Sequence, residues 1–350
     1  MLFDLPDPDQ LYRALVARDD TYEGRAYVGV KTTGIFCRFT CPARKPKPEN
    51  CSYFPSIGAA LEAGFRPCKR CTPLIAASGA DADVQRLLAA LEARPQHRWR
   101  EGDIANMGLD LSTVRRSFKR YFGMTFLEMA RQHRLREGFE TLREGGRVID
   151  AQHDAGFASP AAFRTAFAAL LGEPPGAFAR DGLLRADWIE TALGAMIAVS
   201  DARSLHLLEF TTRKALPTEL KRLMKAAKGS LGFGRFAPTD QVERELAAFF
   251  KGTSPLFETP MTFHGTDFTR SVWSALCQIP AGETRSYSAL AQDMGQPSAT
   301  RAVARANGAN QIAILVPCHR VLGADGALTG YGGGLWRKQR LLEIEAQYRS

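Results

Sequence analysis

Four of the seven cysteines fall in two close pairs, Cys37 with Cys41 and Cys68 with Cys71. A C-x3-C…C-x2-C arrangement is the spacing of a four-thiolate zinc site, and it obliges two distant turns to meet around one ion. Two disulfides are the alternative. The acidic, proline-bearing residues 1–10 do not read as a secretory signal, so a reducing cytoplasm and one bound Zn2+ are expected. Zinc keeps sulfur deprotonated at neutral pH, so such a site also supplies nucleophilic sulfur. Cys51, in the spacer, reads as a packed or surface thiol. Cys277 sits on an apolar helical pattern and reads as core.

The seventh cysteine lies in Val316-Pro317-Cys318-His319-Arg320-Val321, just past an apolar run, 312–316, that reads as a strand. A thiolate beside an imidazole that can take its proton suits nucleophilic catalysis. Taken alone, the dipeptide fits a small buried residue at a strand end at least as well. Its surroundings shift the balance: Gly282-Glu283-Thr284-Arg285-Ser286-Tyr287, then Arg301-Ala302-Val303-Ala304-Arg305-Ala306-Asn307-Gly308-Ala309-Asn310, then Trp336-Arg337-Lys338-Gln339-Arg340-Leu341-Leu342-Glu343-Ile344-Glu345.

Together these segments resemble the O6-alkylguanine-DNA alkyltransferase family over residues 187–350. The resemblance implies that Cys318 accepts an alkyl group from damaged DNA. His319 would deprotonate it through a water, Glu345 would orient the histidine, and Asn310 would brace the turn. Tyr287 would rotate the target phosphate and help protonate the leaving base, and Arg301 would fill the gap left by the extruded nucleotide. Gly332 stands where some relatives carry a side-chain donor to the base. The sequence around the paired cysteines, Thr32-Thr33-Gly34-Ile35-Phe36-Cys37 and Gly64-Phe65-Arg66-Pro67-Cys68-Lys69-Arg70-Cys71, resembles the amino-terminal domain of the Ada family over residues 4–76. That likeness implies that Cys37 accepts a methyl group from a DNA methylphosphotriester while Cys41, Cys68 and Cys71 complete the ligand set. Losing one negative charge there would ease repulsion from DNA phosphates, with Arg66, Lys69 and Arg70 left to bind them. No organic cofactor is expected.

Between these regions, residues 84–182 carry two helix-turn-helix patterns. In the first, Ser112 reads as the N-cap of a helix with Arg115, Arg116 and Lys119 on its exposed face. In the second, Ser159 caps a helix that has Pro160 at its first position. A longer helix, 126–144, joins them. The layout resembles the AraC-type DNA-binding domain, which implies two recognition helices on one frame entering major grooves about 34 Å apart. A plain helical bundle with a solvated basic face is the alternative.

The net charge of +9 is spread over all three segments, as expected if each meets nucleic acid, although a basic face for membranes or acidic proteins would give similar totals. The apolar stretch 188–199 is too short for a membrane span and contains Glu190. The expected fold class is α+β and multidomain. It comprises a small zinc-bound α/β domain (1–78), an all-α tandem helix-turn-helix domain (84–182) and an alkyltransferase with a small β-sheet subdomain (187–265) and a helical, winged-helix-like subdomain (266–350). Residues 76–83 read as a linker, 194–210 as strands, and 214–250 as a connector plus a helix. The expected function is DNA repair methyl transfer coupled to transcriptional regulation in the cytoplasm, with double-stranded DNA and RNA polymerase as partners and a monomeric chain. An inert alkyltransferase domain on a transcription factor, or a thiol redox sensor, are the competing readings.

Overall fold

The computed structural model describes residues 5–348 apart from Arg25, 56–59, 61–62, Lys69, Thr72, Pro95, Gly123 and Asp325; the side chains of 67, 74–82, 120 and 121 also lie outside the description. Contacts divide the chain into two compact units, Met1–Ala93 with Arg100–Arg120, and Arg94–Trp99 with Tyr121–Ser350. The fold is α+β and multidomain. The two helix-turn-helix patterns fall in different units.

In the first unit, helix α1 (Pro8–Ala17) starts at Asp7, whose carboxylate accepts the Asp9 N–H at 2.8 Å, and it buries Leu11, Ala14 and Leu15. A four-stranded sheet follows in the order β3-β1-β2-β4, formed by β1 (Tyr27–Val30), β2 (Ile35–Arg38), β3 (Cys51–Phe54) and β4 (Arg66–Pro67). Strand β1 runs antiparallel to β2 and β3, whereas β4 runs parallel to β2. Helix α2 (Pro73–Ala93) crosses 76–83, the segment whose small residues suggested a linker. Its alanines are strong helix formers, which the linker reading neglected. Next come α3 (Glu101–Asn106) and α4 (Leu111–Phe122), with Ile104, Val114 and Phe118 buried. Asp110 rather than Ser112 caps α4: its carboxylate accepts the Thr113 N–H at 2.8 Å and the Ser112 hydroxyl at 2.7 Å. Those bonds hold Asp110 down at about 2.

In the second unit, α5 (Phe126–Arg143) opens with a reciprocal cap between Thr125 and Glu128. Helices α6 (Val148–Asp154) and α7 (Pro160–Leu171) follow, and Ser159 caps α7 as expected. Gly138 lets α5 and α6 approach closely, since a Cβ there would lie 2.7 Å from the Ala151 carbonyl. A second sheet has the order β7-β6-β5-β8, with β5 (Leu184–Ile189), β6 (Met196–Ser200), β7 (Leu205–Phe210) and β8 (Leu231–Phe233). Residues 214–250 form α8 (Leu216–Ala226), then β8, then α9 (Ala237–Phe250), so the connector contains a helix and an edge strand that the sequence reading merged. Both faces of this sheet are buried. Ala186, Trp188, Ile197, Val199 and Leu207 share a core with α5–α8, while Met196, Ala198, Leu208 and Phe210 share one with α9 and the helices after it. Alternate residues thus serve two cores, so the strands read as unbroken apolar runs. Phe233 joins the first core, with ring centroids 5.1 Å from Phe139 and 4.5 Å from Phe178. Asp187, fully buried, is bridged by Arg143 at 3.5 Å and Arg235 at 3.0 Å.

The remaining helices are α10 (Asp267–Leu276), α11 (Tyr287–Asp293), α12 (Thr300–Gly308) and α13 (Leu335–Glu345), with a parallel pair β9 (Arg285–Ser286) and β10 (Val321–Leu322). Cys277 caps α10 and packs against this core. No helix among the described residues is long and apolar enough to cross a membrane.

Candidate functional site

The apolar run 312–316 is not a strand. It is a buried turn with isolated bridges from Ile312 to Leu208 and from Ala313 to Val316. Asn310 explains why. Its side-chain oxygen accepts the Ile312 N–H at 2.9 Å, and its amide donates to the Val316 carbonyl at 2.9 Å, folding the segment back on itself. Ile314 is held at φ 75°, which a β-branched residue adopts only under constraint. The same Asn310 amide lies 3.1 Å from Cys318 Sγ. The residue that shapes the turn therefore also touches the thiol.

Cys318 opens a short 3-10 turn, Cys318–Arg320, in which all three side chains are buried. Burial pushes its thiol up to about 11; Asn310, Arg213 and Lys338 pull it down, and Glu209 pushes it up. His319 Nε2 lies 2.9 Å from Glu345 Oε1, and both residues are fully buried. Glu345 also accepts from Arg320 Nε at 2.9 Å and Nη2 at 2.7 Å. Burial opposes the charge on Glu345, but the hydrogen bond from His319 and the hydrogen bonds and charge of Arg320 outweigh it and hold the carboxyl at about 2. Burial lowers His319, which favours neutral imidazole. With Nε2–H donated to Glu345, Nδ1 carries the free lone pair. Nδ1 is buried, has no hydrogen-bond partner among the described residues and can accept a proton.

Tyr287, half-buried at the start of α11, brings its hydroxyl to the glycine-rich turn 330–334; a Cβ on Gly330 would lie 3.4 Å from it. Burial raises Tyr287, so it stays a proton donor at neutral pH. Arg301 stands exposed in the first turn of α12. The structure thus gathers Cys318, His319, Glu345, Asn310 and Tyr287, with Arg301 on the surface. It adds groups that the sequence reading left unassigned. Lys338, in α13, is fully buried and donates Nζ to the Val321 and Thr329 carbonyls. Asn307 donates to the Cys318 carbonyl at 3.4 Å. Both lay inside quoted motifs, but only folding reveals their targets.

In the first unit, strand pairing assembles the cysteines. Cys37 lies on β2, and Cys68 follows β4, donating its N–H to the Phe36 carbonyl at 3.0 Å. Cys41 closes a turn onto Arg38, and Cys71 precedes α2. The four sulfurs all lie within 4.8 Å of one another. Four thiolates at about 2.3 Å from a tetrahedral zinc would stand about 3.8 Å apart, so the cage fits one Zn2+. A hydrogen bond with Cys71, burial and the charges of the neighbouring sulfurs push the Cys37 thiol far up, a conflict that a divalent cation relieves. Cys51 is buried beside this cage and donates to the Lys47 carbonyl at 3.4 Å. Arg66 and Arg70 are exposed, whereas Lys69 lies outside the described residues. On α4, Arg115, Arg116 and Lys119 are exposed as expected, and Arg115 reaches Glu101 at 3.1 Å.

Comparison with known proteins accounts for this assembly. Family models match in chain order: the metal binding domain of Ada at residues 10–73, a helix-turn-helix domain at 104–181, and the 6-O-methylguanine DNA methyltransferase DNA binding domain at 267–347. The regulatory protein Ada of Salmonella typhimurium is 34% identical over 97% of each chain. The bifunctional transcriptional activator/DNA repair enzyme Ada of Escherichia coli is 34% identical over 97% of this chain and 96% of its own. A methylated-DNA–protein-cysteine methyltransferase of Methanosarcina barkeri is 42% identical over 45% of this chain and 95% of its own. With its metal-binding, helix-turn-helix and methyltransferase parts in this order along nearly the whole length, the chain belongs to the Ada family.

Proposed function

We propose that this chain is a DNA-repair methyltransferase that acts once per acceptor cysteine and doubles as a transcriptional activator. The observation that carries the reading is the buried relay at Cys318, where a thiol braced by Asn310 neighbours an imidazole whose Nε2 is tied to Glu345 and whose Nδ1 has no partner among the described residues. His319 takes the thiol proton through a bridging water. The sulfur then attacks the methyl carbon of O6-methylguanine, or O4-methylthymine, in a flipped nucleotide. The S–C bond forms as the C–O bond breaks, the electron pair stays on the base oxygen, and Tyr287 supplies a proton to the leaving base. Arg301 fills the vacated stack. The thioether has no competent leaving group, so Cys318 is spent.

Cys37, Cys41, Cys68 and Cys71 would hold one zinc ion, which keeps sulfur in the nucleophilic thiolate form at neutral pH. Cys37 accepts a methyl group from a DNA methylphosphotriester, and the departing phosphodiester keeps the electron pair. Arg66, Lys69 and Arg70 bind backbone phosphates, and Arg115, Arg116 and Lys119 bind promoter DNA. Methylated Cys37 raises promoter affinity, and the DNA-bound protein engages RNA polymerase as a monomer in the cytoplasm. Residues 1–78, 84–182, 187–265 and 266–350 serve as the phosphotriester acceptor, promoter reader, sheet subdomain and catalytic subdomain.

The test is incubation of zinc-loaded protein with methylated DNA, followed by peptide mapping. One methyl on Cys318 and one on Cys37, without turnover, is the expected result. A folded protein that gains neither overturns the proposal.

A further inference from the structure

Beside Cys318 lies a buried charged cluster that the relay does not use. Arg213 follows β7 and is itself buried. It pairs with Glu209 on β7 at 3.1 Å and with Glu219 on α8 at 3.2 Å, and it donates to the Gly308 carbonyl at the end of α12 at 3.0 Å. Its guanidinium also fills the space over Gly332, where a Cβ would stand 2.0 Å from Nη1. Arg213 therefore spans from the sheet to both segments that border the thiol, the α12 end two residues before Asn310 and the turn after Tyr331. Two carboxylates, a backbone carbonyl and Gly332 fix its head, so its charge is preorganised.

We propose that Arg213 is a positioning residue of the alkyl-acceptor site: a fixed cation, delivered from the sheet, that favours the Cys318 thiolate and depends on Gly332 having no side chain. The inference rests on Cys318 being the acceptor proposed above. The charged and titratable groups around the thiol come from every neighbouring element: Glu209 and Arg213 from the sheet, Tyr287 from α11, His319 from its own turn, Tyr331 from the glycine turn and Lys338 from α13. Lys338 is the other cation of this group, but it is bound to two carbonyls. Burial pushes Glu209 up to about 8 against the pull of Arg213. Burial raises Glu219 as well, again against the pull of Arg213.

Magnitudes decide the sign of the effect. Each unit of thiol pKa changes thiolate population tenfold at neutral pH. The opposing change in nucleophilicity is only about half as large on a logarithmic scale. Losing the cation should therefore slow transfer by roughly threefold per unit of upward shift.

The experiment follows the rate of methyl transfer to Cys318 against pH, in the full zinc-loaded chain with methylated duplex DNA, alongside iodoacetamide labelling of the same cysteine as a probe independent of base binding. Arg213→Met is expected to move both profiles to higher pH, Arg213→Lys to restore part of the shift, and Gly332→Ser to reproduce it by displacing the guanidinium. Circular dichroism reports folding of each variant, and Gly332→Ser and Arg213→Lys keep the test open should Arg213→Met not fold. Folded variants whose two profiles coincide with the parent overturn the inference. Wild-type protein that takes no methyl on Cys318 instead overturns the acceptor assignment.

Discussion

Glu345 reaches across 26 positions of sequence to accept a hydrogen bond from His319 at 2.9 Å, and its other oxygen accepts from Arg320. One carboxylate thus fixes both the tautomer of His319 and the turn that carries Cys318. Glu345→Gln keeps the shape but offers the imidazole a neutral partner. Transfer to Cys318 is expected to slow by about 10²-fold, within the range of a lost general base. His319→Ala is expected to match it, and Cys318→Ala to abolish transfer at that site. Single-turnover assays on methylated duplex check all three, and a Gln variant as fast as the parent excludes the relay.

Acid should unfold the second unit through the same carboxylate. Glu345 is held at about 2, below the usual carboxyl range. A depressed carboxyl contributes stability that is fully present above its unfolded value and is lost as pH falls through the folded one. The window is thus from about 4.5 down to about 2, and the contribution is on the order of 3 kcal/mol. Denaturant midpoints measured between pH 5 and pH 2 should fall in the parent and fall less in Glu345→Gln.

Zinc removal should act on the first unit. Four buried thiols within 4.8 Å repel one another once ionised. Binding of a structural zinc is therefore coupled to folding. Chelation is expected to abolish protection of β1, β2 and β4 amides in hydrogen exchange while leaving β5–β7 protected. Equal loss in both units would show that the metal is not local to this cage.

Promoter binding should report the basic face of α4. Each phosphate contact removed lowers the slope of log affinity against log salt by about one. Arg116→Ala and Lys119→Ala are expected to do so individually. Methyl transfer to free methylated oligonucleotide should be unaffected, and unchanged salt slopes would remove α4 from the interface.

Phe233→Ala should weaken two modules together. The ring packs on Phe139 of the helical pattern and on Phe178 below the sheet. It is partly exposed, so a cost of about 3 kcal/mol is expected, at the low end for a deleted phenyl ring. Exchange protection of α7 and β5 should fall in parallel; a change confined to one of them refutes the shared core.

Short-range spacing made much of this molecule legible. The paired cysteines announce a metal cage because two tight turns have few other uses, and Ser159-Pro160 announces a helix start because cap chemistry is local. Where tertiary contacts decide, the sequence misleads. The apolar run 312–316 is equally hydrophobic as a strand or as a core turn, and Asn310 settles the matter with hydrogen bonds that no periodicity records. Asp110 outcompetes Ser112 as a cap because it accepts from both Thr113 and Ser112 itself. Arg213, 105 positions before Cys318, carries no motif, and its relevance exists only once the sheet is laid against the glycine turn.

The core shared by α5–α7 and the sheet has a mechanical corollary. Helix α7 cannot tumble by itself: it rotates with the inertia and drag of the repair body, and torque applied to one is felt by the other. A duplex held by α7 would therefore meet Cys318 at a set azimuth around the helical axis, and the phase of a lesion relative to an operator would become a physical variable rather than an accident of tethering.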